Sequence, residues 1–222
     1  MLEGAAQKHF EELNTAGQSA KDAGNHEGAL AAFDEADRVA GIHDDSLKRM
    51  HALTPAARAL WSLGRYEEAT GRLQTASDIA AELGLSDERG ITFSNIGRIA
   101  AVKTLRTVPV QDQASTLKQE AAPKFRDAYE LLKGHPHLYY RYANAQHGAV
   151  VAAMAGERKL ANKLVIEGAK VAFQRSEQPY DHIRTYKISP KGLVQLLAAA
   201  ALIPFGRRTP VLAGFARSRL IR

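Results

Sequence analysis

The chain has 222 residues, of which 45% are hydrophobic and 24% are charged, and it contains no cysteine. This composition is ordinary for a folded domain; the missing cysteines exclude disulfides, thiolate metal sites and cysteine nucleophiles, and fit a reducing compartment. The charge is uneven, because residues 157–222 carry 13 Lys and Arg against 4 Asp and Glu. A localised basic region indicates contact with nucleic acid, an anionic surface or an acidic protein, or else a solvated end of the domain.

Helix-forming residues dominate the chain, which favours an all-α fold without a sheet. The first helix is predicted over residues 3–23, and its partner over 26–39. The third helix contains Thr54-Pro55, and we expect the proline to kink it rather than to begin it with Thr54 as the cap. Further helices are predicted over 66–83 and 86–105. The segment of residues 106–115 has proline and polar residues and is predicted to be a loop, with extra helical turns as the alternative.

Two more helices are predicted over 137–155 and 157–175, after which the repeat pattern ends. Residues 193–205 are the most apolar stretch, but they are too few for the ~20 that span a bilayer. We expect them to form a capping helix, with a helix that dips into a membrane as the alternative. The first residues lack the apolar core of a signal peptide, so a cytoplasmic protein is expected.

A pattern of small residues repeats four times along the chain. Four alanines are followed four residues later by a larger apolar residue, and three residues after that by a small one; the alanines are Ala29, Ala69, Ala121 and Ala161. They are 40, 52 and 40 residues apart. Such residues share one helix face, where small side chains let a partner helix approach closely. Gly24, Gly64 and Gly156 precede three of the units and predict tight turns between paired helices.

These features resemble the tetratricopeptide repeat family, most closely in the segment GRYEEATGRLQTA of residues 64–76. The small pairs Ala16-Gly17, Ala56-Ala57, Ile96-Gly97 and Gly148-Ala149 occupy the family's place for such a pair. The period exceeds the ~34 residues usual for this repeat. The resemblance implies a right-handed α-solenoid of four antiparallel helix pairs over residues 1–188. Residues 189–222 would form the capping helix and a basic tail.

In the family, the first helix of each pair lines a concave groove that binds a peptide or a partner helix. The resemblance places these exposed groove positions at Asn14, Gln18, Lys21, His51, Thr54, Arg58, Trp61, Ser94, Asn95, Arg98 and Gln146. Arg58 and Arg98 occupy matching places, so we expect them to form a ladder for a carboxylate or phosphate beside the single tryptophan, with pairing to neighbouring acids as the alternative. The family's carboxylate clamp is not reproduced, because Asn14 and Gln18 stand where its Lys and Asn are required.

No catalytic motif or metal-binding motif is present, although His135, His137 and His147 are close in sequence. We therefore expect a protein-interaction module without enzymatic activity, cofactor or metal. One alternative is a nucleic-acid- or ribosome-associated factor that uses the basic tail, whose arginines are Arg207, Arg208, Arg217, Arg219 and Arg222. Another alternative is a regulatory domain that senses a small signalling peptide.

Overall fold

The structure is a computed structural model that describes residues 3–136 and 138–173. Every regular element within these residues is helical, and they contain no strand, which confirms the all-α prediction. No helix in this part of the chain combines the length and apolarity that crossing a membrane requires. The helices are α1 (Gly4–Asp22), α2 (His26–Ile42), α3 (Ser46–Ser62), α4 (Tyr66–Glu82), α5 (Ser86–Thr107), α6 (Val110–Thr116), α7 (Ala122–Leu132), α8 (Leu138–Met154) and α9 (Arg158–Phe173).

The chain divides into two compact units, residues 1–92 and 93–222, and the boundary falls within α5. It therefore lies inside the stretch of residues 1–188 predicted to form the repeat domain. The capping helix and basic tail predicted for residues 189–222 lie outside the described residues.

In the first unit, each helix packs against the next along the chain, α1 on α2, α2 on α3 and α3 on α4. The repeated small residues lie in these contacts, as predicted, because Ala29, Ala36, Ala69 and Ala76 have no exposed surface. The larger residues of the pattern are also buried, with Phe33 2% exposed and Leu73 1% exposed.

The second unit has one core shared by the end of α5, a π-helical turn at Leu117–Ala121, and helices α7, α8 and α9. Within it, α8 packs against both α7 and α9. Ala121, Phe125, Ala128 and Ala161 of the repeat pattern are fully buried here, whereas Val165 is only half-buried.

The predicted tight turns between paired helices are confirmed. Gly64 has a φ of 78°, in the left-handed region that glycine adopts most readily. Its N–H donates to the Trp61 carbonyl at 3.0 Å, and the Arg65 N–H donates to the Leu60 carbonyl at 2.9 Å. These two bonds close the C-terminus of α3 and allow α4 to begin one residue later. Gly24 and Gly156 have the same conformation.

Helices approach each other closely at three glycines of the small pairs. A Cβ added at Gly17 would lie 2.7 Å from Phe33 Cε1, and one at Gly97 would lie 3.0 Å from Phe125 Cδ2. A Cβ at Gly148 would lie 2.8 Å from Leu164 Cδ1 and 3.0 Å from the Phe125 Cβ. Because these glycines have no side chain, there is space at each of them for a large residue of a second helix.

Pro55 lies inside a continuous α3, so the reading in which Thr54 caps a new helix is wrong. The Thr54 hydroxyl instead donates to the Met50 carbonyl at 3.2 Å. The cap of α3 is Asp45, whose carboxylate accepts the Lys48 N–H at 3.1 Å.

The prediction of a loop over residues 106–115 is wrong for most of this segment, because α5 continues to Thr107 and α6 begins at Val110. The alternative of extra helical turns is correct there. Gln113 is buried, and its side-chain amide donates to the Val108 carbonyl at 2.8 Å. This bond satisfies a carbonyl just beyond the end of α5, so the chain turns sharply into α6 without a long loop.

We predict that Ala69→Leu and Ala76→Leu each destabilise the protein by about 1–3 kcal/mol, because leucine would overpack fully buried positions. Ala81→Leu is the control, since Ala81 is an exposed residue of the same helix. The free energy of unfolding from urea titration measures the difference. Equal stability of the three variants would contradict close packing along α4.

Candidate functional site

In the first unit, α3 and the two helices that pack against it differ in the sign of their charge. Helix α3 contains three Lys or Arg residues and no Asp or Glu. Helices α2 and α4 each contain four Asp or Glu residues and a single Arg. In the family pattern α3 is the first helix of a pair, and its two neighbours in this unit are second helices. Helix α3, one of the helices predicted to line the groove, is therefore basic and stands between two acidic helices.

Two of the three cations on α3 are occupied by neighbouring groups. Lys48 Nζ lies 5.1 Å from the centroid of the Phe10 ring, and Arg49 Nε lies 3.1 Å from Asp37 Oδ1. Arg58 is exposed and makes no hydrogen bond or ion pair with a described residue. Arg58 is therefore the cation of α3 that is available to a ligand.

His51 and Trp61 lie near Arg58 along the same helix. His51 is exposed and seven residues earlier, so at 1.5 Å per residue it lies about 10 Å along the axis and within about 20° of the same direction. Trp61 is half-buried and follows Arg58 by three residues. The three predicted side chains thus form a stripe on α3 that combines positive charge with an aromatic surface.

The predicted groove positions on α1 are already engaged within their own helix. The Asn14 amide donates to the Phe10 carbonyl at 2.9 Å, and the Gln18 amide donates to Asp22 Oδ1 at 2.7 Å. Lys21 Nζ donates to Gln18 Oε1 at 2.7 Å. These side chains can bind a ligand only if they give up their hydrogen bonds within α1. They are therefore less available for ligand binding than Arg58.

The prediction that Ser94 and Asn95 are exposed is wrong, because they are 7% and 8% exposed. The residues from Ser94 to Gly97 are all buried. Successive residues of a helix are 100° apart, so α5 is covered on more than one side. The Asn95 amide nitrogen is buried and has no hydrogen-bond partner among the described residues.

Arg98 and Gln146 are half-buried on α5 and α8 of the second unit. Arg98 is near His147, whose pKa is lowered to about 3 by burial and, secondarily, by the positive charge of Arg98. His147 Nδ1 lies 2.8 Å from the Ala143 carbonyl, so this nitrogen carries the proton of the neutral ring. His147 is therefore uncharged at neutral pH, a feature that the sequence did not indicate.

Arg58 belongs to the first unit and Arg98 to the second. The ladder of these two arginines stays a prediction. The arginines of the tail, Arg207, Arg208, Arg217, Arg219 and Arg222, lie outside the described residues.

The aromatic segment at the start of α8 is divided between the surface and the core. Tyr139 is 45% exposed and packs edge-on against Tyr140, with ring centroids 5.3 Å apart, whereas Tyr142 is buried. Arg141, between them, forms a buried ion pair with Glu167 of α9, at 2.6 Å from Nη2 to Oε1. This arginine is thus part of the packing between α8 and α9 and is not available to a ligand.

Within residues 3–136 and 138–173, no three His, Asp or Glu side chains converge in a way that could hold a metal ion. No model of a known protein family matches the chain, and no curated protein sequence is significantly similar to it.

Proposed function

We propose that the chain is a divergent tetratricopeptide-like solenoid with right-handed stacking of its helix pairs. The proposal is supported by the recurrence of one packing arrangement in both units. Buried alanines of the second helices accompany a large residue that fills the space above a small residue of the first helix, as Phe33 does at Gly17 and Phe125 at Gly97. Glycine turns that join the paired helices also recur in both units.

On this scaffold we propose a non-enzymatic interaction module that binds an acidic peptide or partner helix along the first helices of the pairs. The observation that carries the proposal is the exposed Arg58, which pairs with no residue in the described part of the chain, on a helix without acidic residues. A guanidinium offers two parallel donors to a carboxylate, which gives direction as well as attraction. Trp61 adds an aromatic surface one turn away, of the kind that contributes most to peptide binding.

The spacing along α3 further defines the ligand. The ~10 Å between His51 and Arg58 equals about three residues of an extended chain, or about seven residues of a helix. A ligand with carboxylates at one of these spacings would meet both side chains. The bound segment is therefore expected to contain acidic residues three apart if extended, or seven apart if helical.

The test is a binding screen with fluorescent peptides that carry Glu at these two spacings. We expect Arg58→Ala to weaken binding of the selected peptides by about 1.5–3 kcal/mol, roughly the contribution of a charged hydrogen bond. Arg38→Ala is the matched control, because Arg38 is an exposed arginine of α2 that pairs with Glu35 at 2.5 Å. Fluorescence anisotropy measures both variants.

Peptides with Gln in place of Glu provide the second control, and they should bind weakly to every variant. Equal binding by the Arg58 and Arg38 variants would contradict a site on α3. Arg98→Ala is measured separately, together with its thermal stability, because Arg98 is half-buried.

A further inference from the structure

The last described helix, α9, carries unequal charge. Its sequence RKLANKLVIEGAKVAF contains four Lys or Arg residues and a single acid, Glu167. One further acid, Glu157, immediately precedes the helix. The side on which each of these charges lies determines whether the helix presents a neutral or a positive surface.

Both acids face other parts of the second unit. Glu167 is 8% exposed and accepts two hydrogen bonds from Arg141, at 2.8 Å from Nε and 2.6 Å from Nη2. Glu157 bridges Lys118 at 3.3 Å and Arg126 at 3.5 Å. Neither carboxylate is therefore left to neutralise the outer surface of α9.

The cations of α9 face outward. At 100° per residue, Lys159, Lys163 and Lys170 fall within about 40° of one another around the helix, and all three are exposed. Lys163 is held by Glu130 at 2.6 Å and lies 4.4 Å from the Tyr129 ring centroid. Lys159 and Lys170, with the exposed Arg158 at the start of the helix, make no side-chain hydrogen bond or ion pair within the described part of the chain.

We propose that the outer face of α9, formed by Lys159, Lys163 and Lys170 and extended by Arg158 at the start of the helix, binds the phosphate backbone of nucleic acid without sequence selectivity. This surface is separate from the stripe on α3 and does not depend on the proposed peptide binding. Lysine is a flexible point charge that suits phosphates in many geometries. From Lys159 to Lys170 the face is about 16 Å long, enough to follow several phosphates of one strand.

Two other anionic partners fit this face less well. A helix that enters a lipid surface needs an apolar side that is free, but the apolar side of α9 is buried, with Leu160, Ala161, Leu164 and Val171 in the core. A protein partner usually needs a central apolar or aromatic anchor, and among residues 158–172, whose exposure is described, Ile166 is the one large hydrophobic residue that is exposed, at 55%. A row of separated cations therefore fits the phosphates of nucleic acid better than it fits a lipid surface or a protein partner.

The charge of the following sequence is consistent with this assignment. Residues 174–222 hold 9 Lys and Arg against 2 Asp and Glu, and no acid follows Asp181. The basic face of α9 is thus joined to a chain segment of the same sign. Phosphate binding by both would add counterion release from each contact.

The test uses the full chain with a fluorescent 20-base-pair duplex and a single strand of mixed sequence. The variant Arg158→Gln/Lys159→Gln/Lys170→Gln removes the three cations of α9 that pair with no described residue. The control Lys8→Gln/Arg38→Gln/Arg65→Gln removes three exposed cations of the first unit, each of which has an acidic partner within 4 Å. Both variants lower the net charge by the same amount, so they differ in the position of the removed charges and in whether those charges are paired.

We expect the α9 variant to bind duplex on the order of tenfold more weakly at low salt. The slope of log K against log salt should fall by roughly 2.7, the value for three lost phosphate contacts. The control variant should bind as the wild type does. Arg158→Lys/Lys159→Arg/Lys170→Arg should also retain binding, since it keeps the charge.

Four results would overturn the proposal: no nucleic-acid binding by the wild type at low salt, an α9 variant equal to the wild type, equal losses in the α9 and control variants, or loss from the charge-conserving variant. Anionic vesicles and a poly-glutamate peptide are measured in parallel. If the α9 variant loses affinity for one of these and not for nucleic acid, the face belongs to that other partner.

Discussion

Glu167→Ala is expected to destabilise the protein by about 3–5 kcal/mol. The substitution leaves the Arg141 guanidinium, whose side chain is 12% exposed, buried between α8 and α9 without its carboxylate. An uncompensated buried charge costs more than the ion pair itself contributes, because the charge has lost its hydration. The free energy of unfolding from denaturant titration measures the effect.

Arg141→Met/Glu167→Leu separates this cost from the contribution of the pair. It removes both charges and fills the space with apolar atoms, and we expect its stability to be close to that of the wild type. Glu130→Ala is the second control, because Glu130 forms its pairs with Lys133 and Lys163 at the surface. A double variant as unstable as Glu167→Ala would show that the pair itself stabilises the packing of α8 on α9.

Phe125→Ala is expected to cost about 3–5 kcal/mol, because it empties the centre of the second unit. Phe125 has no exposed surface and lies against the positions of Gly97 on α5 and Gly148 on α8. Without the ring, two glycines would face a cavity that neither can fill. Thermal unfolding and urea titration measure the loss, and Val110→Ala, at a position 69% exposed, is the control.

A double-mutant cycle tests whether the ring and the glycine are complementary. Gly97→Ala alone should be unfavourable, since its Cβ would lie 3.0 Å from the ring. Gly97→Ala should destabilise the protein less when it is combined with Phe125→Leu, because the first unit carries Ala57 and Leu73 at the equivalent positions. Additive effects in the cycle would contradict direct contact between the two positions.

The two proposed surfaces are separable by experiment. The stripe on α3 depends on Arg58, and the basic face of α9 depends on Arg158, Lys159 and Lys170. Each variant should leave the other activity unchanged, because the stripe lies in the first unit and the α9 face in the second.

The sequence alone was sufficient for the helical fold and for its local contacts. The spacing of Ala69, Leu73 and Ala76 places them on one helix face, and the structure buries all three. Gly24 and Gly64 marked turns because few other residues adopt a left-handed backbone readily. These features depend on neighbours within a few residues, so periodicity and turn chemistry suffice to predict them.

Exposure and pairing were decided only by the tertiary structure. The sequence placed Asn95 in a groove, but the covering of α5 on more than one side buries it. The local pattern around each residue contains no information about these contacts.

The charge of α9 shows most clearly the difference between what the sequence predicts and what the tertiary structure decides. Its composition indicated a basic region, but composition does not show which charges are neutralised. Glu167 pairs with Arg141, 26 residues away, and Glu157 pairs with Lys118 and Arg126, 39 and 31 residues away. Lys159 and Lys170 remain on the surface. Packing between helices distant in sequence selects these partners, and so only the tertiary structure determines which charges of α9 remain exposed.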